Sequence, residues 1–126
     1  MQLRDTTLLR RQCHVAGAWI DADSGAAAPI VNPATGETIG HVPELGAGET
    51  RRAIEAARAA MAGWRALTAQ ARAISLRRWF NLMHQHQEDL ATLMTLEQGK
   101  PLAEARGEIA YAASFIEWFA EEGKRV

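Results

Sequence analysis

The chain has 126 residues, 48% hydrophobic and 23% charged, with a formal net charge of −1. That length supports one domain with a modest core, and the composition is globular rather than disordered. Near-neutral charge excludes recruitment of nucleic acid or anionic lipid by a global basic field, and no apolar run is long enough to cross a bilayer.

Residues 1–12 are polar and carry no period, so they read as an extended N-terminal arm. They lack the apolar block of a secretory signal. Arg4, Arg10 and Arg11 are set against Asp5 in a segment too short for organelle targeting. Cys13 is the only cysteine, which excludes an intrachain disulfide and a cysteine-rich zinc site. A reducing, cytoplasmic setting is the simplest expectation. In Cys13-His14-Val15-Ala16-Gly17-Ala18-Trp19-Ile20, two short apolar runs flank Ala16-Gly17 and predict a tight hairpin. Residues 21–28 are small and polar, hence a loop, and Ile30-Val31 is a short strand. Asn32-Pro33-Ala34-Thr35-Gly36-Glu37 is a turn in which Pro33 fixes φ and Gly36 can supply a positive one. Residues 38–42 return as a strand that Pro43 limits or places on an edge. The first third is expected to be a β-meander packed on other structure.

Three helices are expected to follow. Gly46-Ala47-Gly48-Glu49 opens the first, with Glu49 placed to complete half of a capping box. Ile54, Ala57, Met61 and Trp64 form its apolar stripe. The second spans 69–98, with Leu76, Trp79, Met83, Leu90 and Met94 on one face and Arg77, Arg78, Asn81, Gln85, Glu88 and Thr92 opposite. Gly99-Lys100-Pro101 is a hinge: Gly99 suits a left-handed C-terminus and Pro101 the first turn of the next helix. The third helix spans 101–124. Leu102, Ala105, Ile109, Ala112, Ile116 and Phe119 make one face, and Tyr111, Phe115 and Trp118 another. The expected fold class is therefore an α+β fragment, N-terminal β-hairpins followed by three α-helices, with an arm over 1–12 and the folded part over 13–126. Helices apolar on several sides point to partners outside the chain, so the sequence reads like the front of a longer protein.

No pattern assembles a nucleophile, a base and an oxyanion hole. Gln12-Cys13 lacks a recognisable base, so Cys13 reads as a structural cysteine. His84 and His86 are two apart on a helix and point to different sides, which suits no shared metal. Arg51-Arg52 and Arg77-Arg78 read as solvated helix faces. Gly46-Ala47-Gly48 could hold an anion at a helix start. It lacks the later glycine of a dinucleotide fingerprint and the lysine of a P-loop, so capping is the simpler use.

Four stretches in order carry a resemblance: Val15-Ala16-Gly17-Ala18-Trp19-Ile20, with Ala16 in place of the usual Asn; Asn32-Pro33-Ala34-Thr35-Gly36-Glu37; the alanine-rich helix over 53–60; and Leu96-Glu97-Gln98-Gly99-Lys100-Pro101-Leu102-Ala103-Glu104-Ala105. Together they resemble the N-terminal part of the NAD(P)-dependent aldehyde dehydrogenases; taken with residues 5–11 and 110–125, the chain most closely resembles the bacterial succinate-semialdehyde type. The resemblance implies a fold that is the opening part of an α/β cofactor-binding domain. It implies aldehyde oxidation by a cysteine thiolate, hydride transfer to nicotinamide and hydrolysis by glutamate-activated water. The G-Q-x-C, E-L-G-G and P-W-N motifs that would carry this chemistry do not occur in the 126 residues; Gln12-Cys13 and Glu44-Leu45-Gly46-Ala47 imitate two of them out of place. The chain alone is thus expected to be inactive, with no catalytic or cofactor-binding residue of its own. NAD or NADP would serve the full-length family and not bind this chain alone. The expected partner is the remainder of the dehydrogenase fold, homo-oligomeric at full length, with no nucleic acid and no membrane. Some family members hold a monovalent cation near the N-P turn, which here implies the Val31 carbonyl and the Glu108 carboxylate. The alternative reading is a stand-alone helical interaction module.

Overall fold

Two successive residues with positive φ, Ala16 (52°) and Gly17 (84°), reverse the chain in the computed structural model, which describes residues 2–125. Met1 and Val126, at the ends of the expected arm and folded part, lie outside the described residues. Positive φ at both central positions gives the turn the twist that two antiparallel strands need. It joins β1 (Cys13–Val15) to β2 (Ala18–Ile20), with Cys13 opposite Ile20. A second ribbon pairs β3 (Ala27–Val31) with β4 (Thr38–Pro43) through the Asn32–Glu37 turn. There Asn32 N–H donates to the Glu37 carbonyl at 2.9 Å, Gly36 N–H donates to the Asn32 carbonyl at 2.8 Å, and Asn32 Oδ1 accepts from Ala34 N–H at 2.9 Å. Gly36 has φ 76°.

Three expectations for this region need correction. β3 begins at Ala27 rather than Ile30; its Pro29 lies opposite His41 in a two-stranded ribbon, where a missing amide donor is tolerated. The two ribbons are separate sheets rather than one meander. The connection turns at Gly25 (φ 72°), and the Asp23 amide is drawn to the Glu49 carboxylate at 3.0 Å, which leads the chain off the edge of β2. The arm is not extended throughout: Thr6–Leu8 forms one 3-10 turn, because Asp5 Oδ1 caps the Thr7 amide at 2.9 Å.

Four helices follow, not three: α1 (Ala47–Ala66), α2 (Ala69–Gln85), α3 (Gln87–Gln98) and α4 (Leu102–Glu122). The long helix expected over 69–98 is interrupted at His86 (φ −106°, ψ 17°). The interruption is local, since His86 N–H still reaches the Leu82 carbonyl at 3.0 Å and its own carbonyl accepts from Leu90 at 2.9 Å. Just after it, Gln87 Nε2 donates to the Arg106 carbonyl of α4 at 2.9 Å, and Asp89 turns to the N-terminal arm. Contacts of that kind leave no trace in hydrophobic periodicity.

α2 and α3 run antiparallel to α4. Arg77 bridges to Glu117 and Glu121 at 2.6 Å each, and Arg106 forks onto Glu88 at 2.8 and 2.9 Å. Around and between these pairs the seam is lined by alanine. Ala73, Ala91, Ala105, Ala113 and Ala120 are buried, and Ala91, Ala105 and Ile109 form a cluster that Met83, Leu90, Met94 and Leu102 flank. Small side chains let helix backbones approach closely, and close approach is what excludes water here. The expected faces are corrected accordingly. Thr92, placed on the wet side, is buried, and Arg77 points at α4. Trp79, Phe119, Ile54, Met61 and Trp64, placed on packed faces, are exposed. Size misleads because a bulky residue cannot sit where two backbones nearly touch.

The hinge closes as expected. Gly99 takes φ 75° and its amide returns to the Thr95 carbonyl at 2.9 Å. Pro101 precedes the first turn of α4 rather than standing in it. A Cβ built on Gly99 would lie 3.1 Å from Pro33 Cγ, so the hinge backs directly onto the Asn32–Glu37 turn. Gly99→Ala is therefore expected to cost about 1–2 kcal/mol from its left-handed conformation plus a further contact penalty. Gly36→Ala, equally left-handed but open to space, should cost only the first part. Urea midpoints of the two variants check this; equal losses would mean that the contact with Pro33 carries no weight.

Candidate functional site

The N-terminus of α1 begins at the Gly46 N-cap, and it is closed by the chain's own carboxylate. Glu49, only 6% exposed, accepts from Gly46 N–H at 3.0 Å through Oε2 and from Asp23 N–H at 3.0 Å through Oε1. Asp23 in turn receives a two-pronged ion pair from Arg52 at 2.7 and 2.8 Å. The Asp23 amide first, and the helix's own amides next, hold the Glu49 carboxyl below its ordinary value against the opposing effect of burial. A phosphate arriving here would meet a buried negative charge, so Gly46-Ala47-Gly48 does not fit a dinucleotide. Half of the capping box was legible in the sequence; the reach of Glu49 to Asp23 was not.

A second buried carboxylate, which sequence reasoning missed, anchors the arm. Asp89 stands in the first turn of α3 and accepts from Arg4 N–H and Asp5 N–H, each at 2.9 Å, one on each oxygen. Those two amides keep its carboxyl below the ordinary range, Arg4 having the larger effect. Its position near a helix start would have been a signal only if the break at His86 had been foreseen.

The third place joins hinge and turn. Lys100 pairs with Glu108 one helical stretch ahead, and the pairing holds the Lys100 ammonium above its usual value. Val31, the other residue implied in a cation site, ends β3 beside the Asn32–Glu37 turn, and Gly99 lies against Pro33 of that turn. The hinge thus runs between the two implied donors, and Glu108 already holds a cationic partner. Among the described residues no group of three or more His, Cys, Asp or Glu could hold a metal ion.

The remaining candidates stay apart. Cys13 is half-buried at the start of β1. The neighbouring Gln12 amide donates to Asp21 at 2.7 Å. His84 is exposed, edge-on to Phe80 with ring centroids 4.6 Å apart, and His86 is half-buried at the helix interruption. Of the arginine pairs, Arg52 and Arg77 are committed to Asp23 and to Glu117 and Glu121, so neither pair is a free basic patch. What the arrangement can do chemically is hold segments in register. No helix among the described residues is long and apolar enough to cross a membrane.

Comparison with known proteins accounts for this framework. The sequence signature described as "Aldehyde dehydrogenase family" matches residues 19–126. The chain is 67% identical over 126 residues to a glutarate-semialdehyde dehydrogenase of Pseudomonas aeruginosa and 64% identical over 126 residues to an NADP(+) succinate-semialdehyde dehydrogenase of Escherichia coli. Each alignment covers 100% of this chain and 26% of the relative. Among solved structures, succinate-semialdehyde dehydrogenase from Burkholderia pseudomallei superposes with a TM-score of 0.97 at 62% identity, over 100% of this chain and 26% of that one. The chain spans about a quarter of the length of the proteins it matches.

The two anchoring carboxylates set an acid limit. Both are held below the ordinary values of 3.8 for Asp and 4.5 for Glu, so their stabilisation is complete above those values. It is lost as pH falls through the lower folded-state values. Asp89→Asn should detach the arm even at neutral pH, because a carboxamide offers one oxygen where two amides need acceptors. Amide NMR shifts of Arg4 and Asp5 read this directly. They should stay constant from pH 7 to 5, move only in stronger acid, and take their detached positions at every pH in the variant. Unchanged shifts in Asp89→Asn would contradict the anchor.

Proposed function

Because the chain belongs to the aldehyde dehydrogenase family, we propose that it serves as the N-terminal part of the cofactor-binding domain of an NAD(P)-dependent semialdehyde dehydrogenase. The proposed substrate is a short ω-carboxylated aldehyde, succinate semialdehyde in the first instance, oxidised to the diacid in a cytoplasmic, homo-oligomeric full-length enzyme. The observation that carries this reading is alignment of all 126 residues at 64–67% identity with glutarate- and succinate-semialdehyde dehydrogenases. Two relatives with that much similarity differ in the chain length of their named substrates, so the two semialdehydes are the pair to compare.

The chain's own share of this function is architectural. Its glycine-led helix start is filled by Glu49, and no step of hydride transfer or thiol chemistry is assigned to its side chains. NAD or NADP, when bound to a complete enzyme, supplies the hydride acceptor. The residues here contribute the rigid α2–α4 hairpin, the turn at Pro33 and the arm tied to Asp89.

The purified 126-residue chain is expected to give no NAD(P)H with either semialdehyde. Grafted in place of the matched quarter of the Pseudomonas aeruginosa relative, it should sustain turnover with at least one of them. Robust turnover by the isolated chain would overturn the architectural reading. A soluble, correctly assembled but inactive graft would remove the semialdehyde reading.

The same reading keeps the Val31 carbonyl and Glu108 as oxygen donors for a monovalent cation, in competition with the Lys100 ammonium. Lys100→Gln should then enlarge the rise in melting temperature between choline chloride and potassium chloride. An identical salt response in both forms would take Val31 and Glu108 out of the account.

A further inference from the structure

α4 carries a ridge of large aromatic side chains that this chain leaves largely exposed. Tyr111, Phe115, Trp118 and Phe119 are 47–66% exposed, and Tyr111 and Phe115 already stack edge to face with centroids 4.8 Å apart. Spacings of four, three and one residue put them on one side of the helix, away from the alanines that meet α2 and α3. A contiguous apolar patch of this kind marks an interaction surface rather than ordinary exposure.

The charges around it say what the occupant is not. Glu117 and Glu121 are held by Arg77 at 2.6 Å each, Glu121 also by Lys124 at 2.7 Å, and Glu122 by Arg125 at 3.4 Å. The rim is neutralised from within, so it calls for no basic partner. α4 itself carries five glutamates and one arginine, the wrong sign for a helix lying on anionic lipid. The same backbone recurs at a TM-score of 0.97 inside a chain about four times as long, so polypeptide of that chain's remainder is available to cover the ridge.

We propose that the Tyr111–Phe115–Trp118–Phe119 ridge is the main docking surface for the rest of a semialdehyde dehydrogenase polypeptide, and that it holds that polypeptide without a covalent link. This rests on the family-based reading above and adds the surface and the non-covalent character of its hold. Aromatic side chains entering a desolvated interface dominate its energetics, which is why one helix face can suffice.

The test is a graft of this chain onto the remainder of the Pseudomonas aeruginosa relative, with a protease site directly after Val126. The graft is folded first, cut second, and then passed through size exclusion at micromolar concentration. The native pieces should stay together, and a Phe115→Ala, Trp118→Ala variant should dissociate about tenfold more readily or worse. If that variant graft never folds while the free variant chain keeps the helix content of the native one, the same dependence has been read before the cut. The proposal is overturned if the native pieces separate, or if the variant pieces hold as tightly as native. It is equally overturned if the ridge pairs two copies of this chain in preference to the remainder. Turnover of the uncut graft reports separately on the semialdehyde reading: an inactive graft whose cut pieces hold together upholds the docking surface alone.

Discussion

Close approach of α4 to α2 and α3 over alanine is the constraint on which the rest depends. Where two helix axes come near enough, a side chain larger than a methyl cannot fit. Ala91, Ala105 and Ala113 are fully buried, and no large side chain among the described residues is. The seam therefore excludes water with very little apolar mass. The bulky residues are displaced outward, to the ridge on α4, to Ile74 and Trp79 on α2, and to Ile54, Met61 and Trp64 on α1. Each such side chain forgoes up to about 1.5–3 kcal/mol of burial. Several together rival the entire stability of a small domain. The distribution makes sense for a unit that packs twice: once within itself over alanine, and once against other polypeptide over aromatics.

Polar contacts then fix what the seam leaves loose. Arg77 and Arg106 clamp the hairpin at two levels, which sets the register of α4 against its neighbours. Two buried carboxylates tie down segments that lie outside the ribbons and the four helices. Glu49 draws the connection between the two ribbons onto α1, and Asp89 draws the arm onto α3. Backbone amides are economical partners for this task, because each is fixed in space and brings no side-chain entropy to lose. α1 is thinly held: Glu49 ties its start to Asp23, Ala53 and Ala56 face β1, and its large residues face water.

The turns and the hinge were legible because their chemistry is local. Asn32, Pro33 and Gly36 dictate one reversal, Ala16-Gly17 another, and Gly99 ends a helix in the only conformation that suits it there. Element order and the presence of unpartnered apolar helix faces were legible too. Ile109, Met83, Leu90, Met94 and Leu102 fell on packed faces as expected, but size was a poor guide to burial elsewhere. Hydrophobic periodicity ranks Trp79 and Phe119 as core and Thr92 as surface, whereas tertiary contact decides the reverse. The interruption at His86 was invisible because the side chains that accompany it, Gln87 and Asp89, find partners on α4 and on the arm, far away in sequence. Of the candidate sites, the helix start at Gly46 was read correctly as a cap, though its ligand-excluding carboxylate needed the fold. Asp89 gave no signal without the break at His86, which places it in the first turn of α3.

The central claim is that the large apolar side chains of this chain face outward until other polypeptide covers them. All four tryptophans test it at once, since Trp19, Trp64, Trp79 and Trp118 are between 41% and 62% exposed. Acrylamide quenching of the folded, monomeric chain measures that exposure most directly. Every indole should be accessible to the quencher, with emission at the position of hydrated tryptophan. A blue-shifted spectrum with a shielded fraction, in a chain shown to be monomeric, would mean that the chain buries its own aromatics and needs nothing further to cover them.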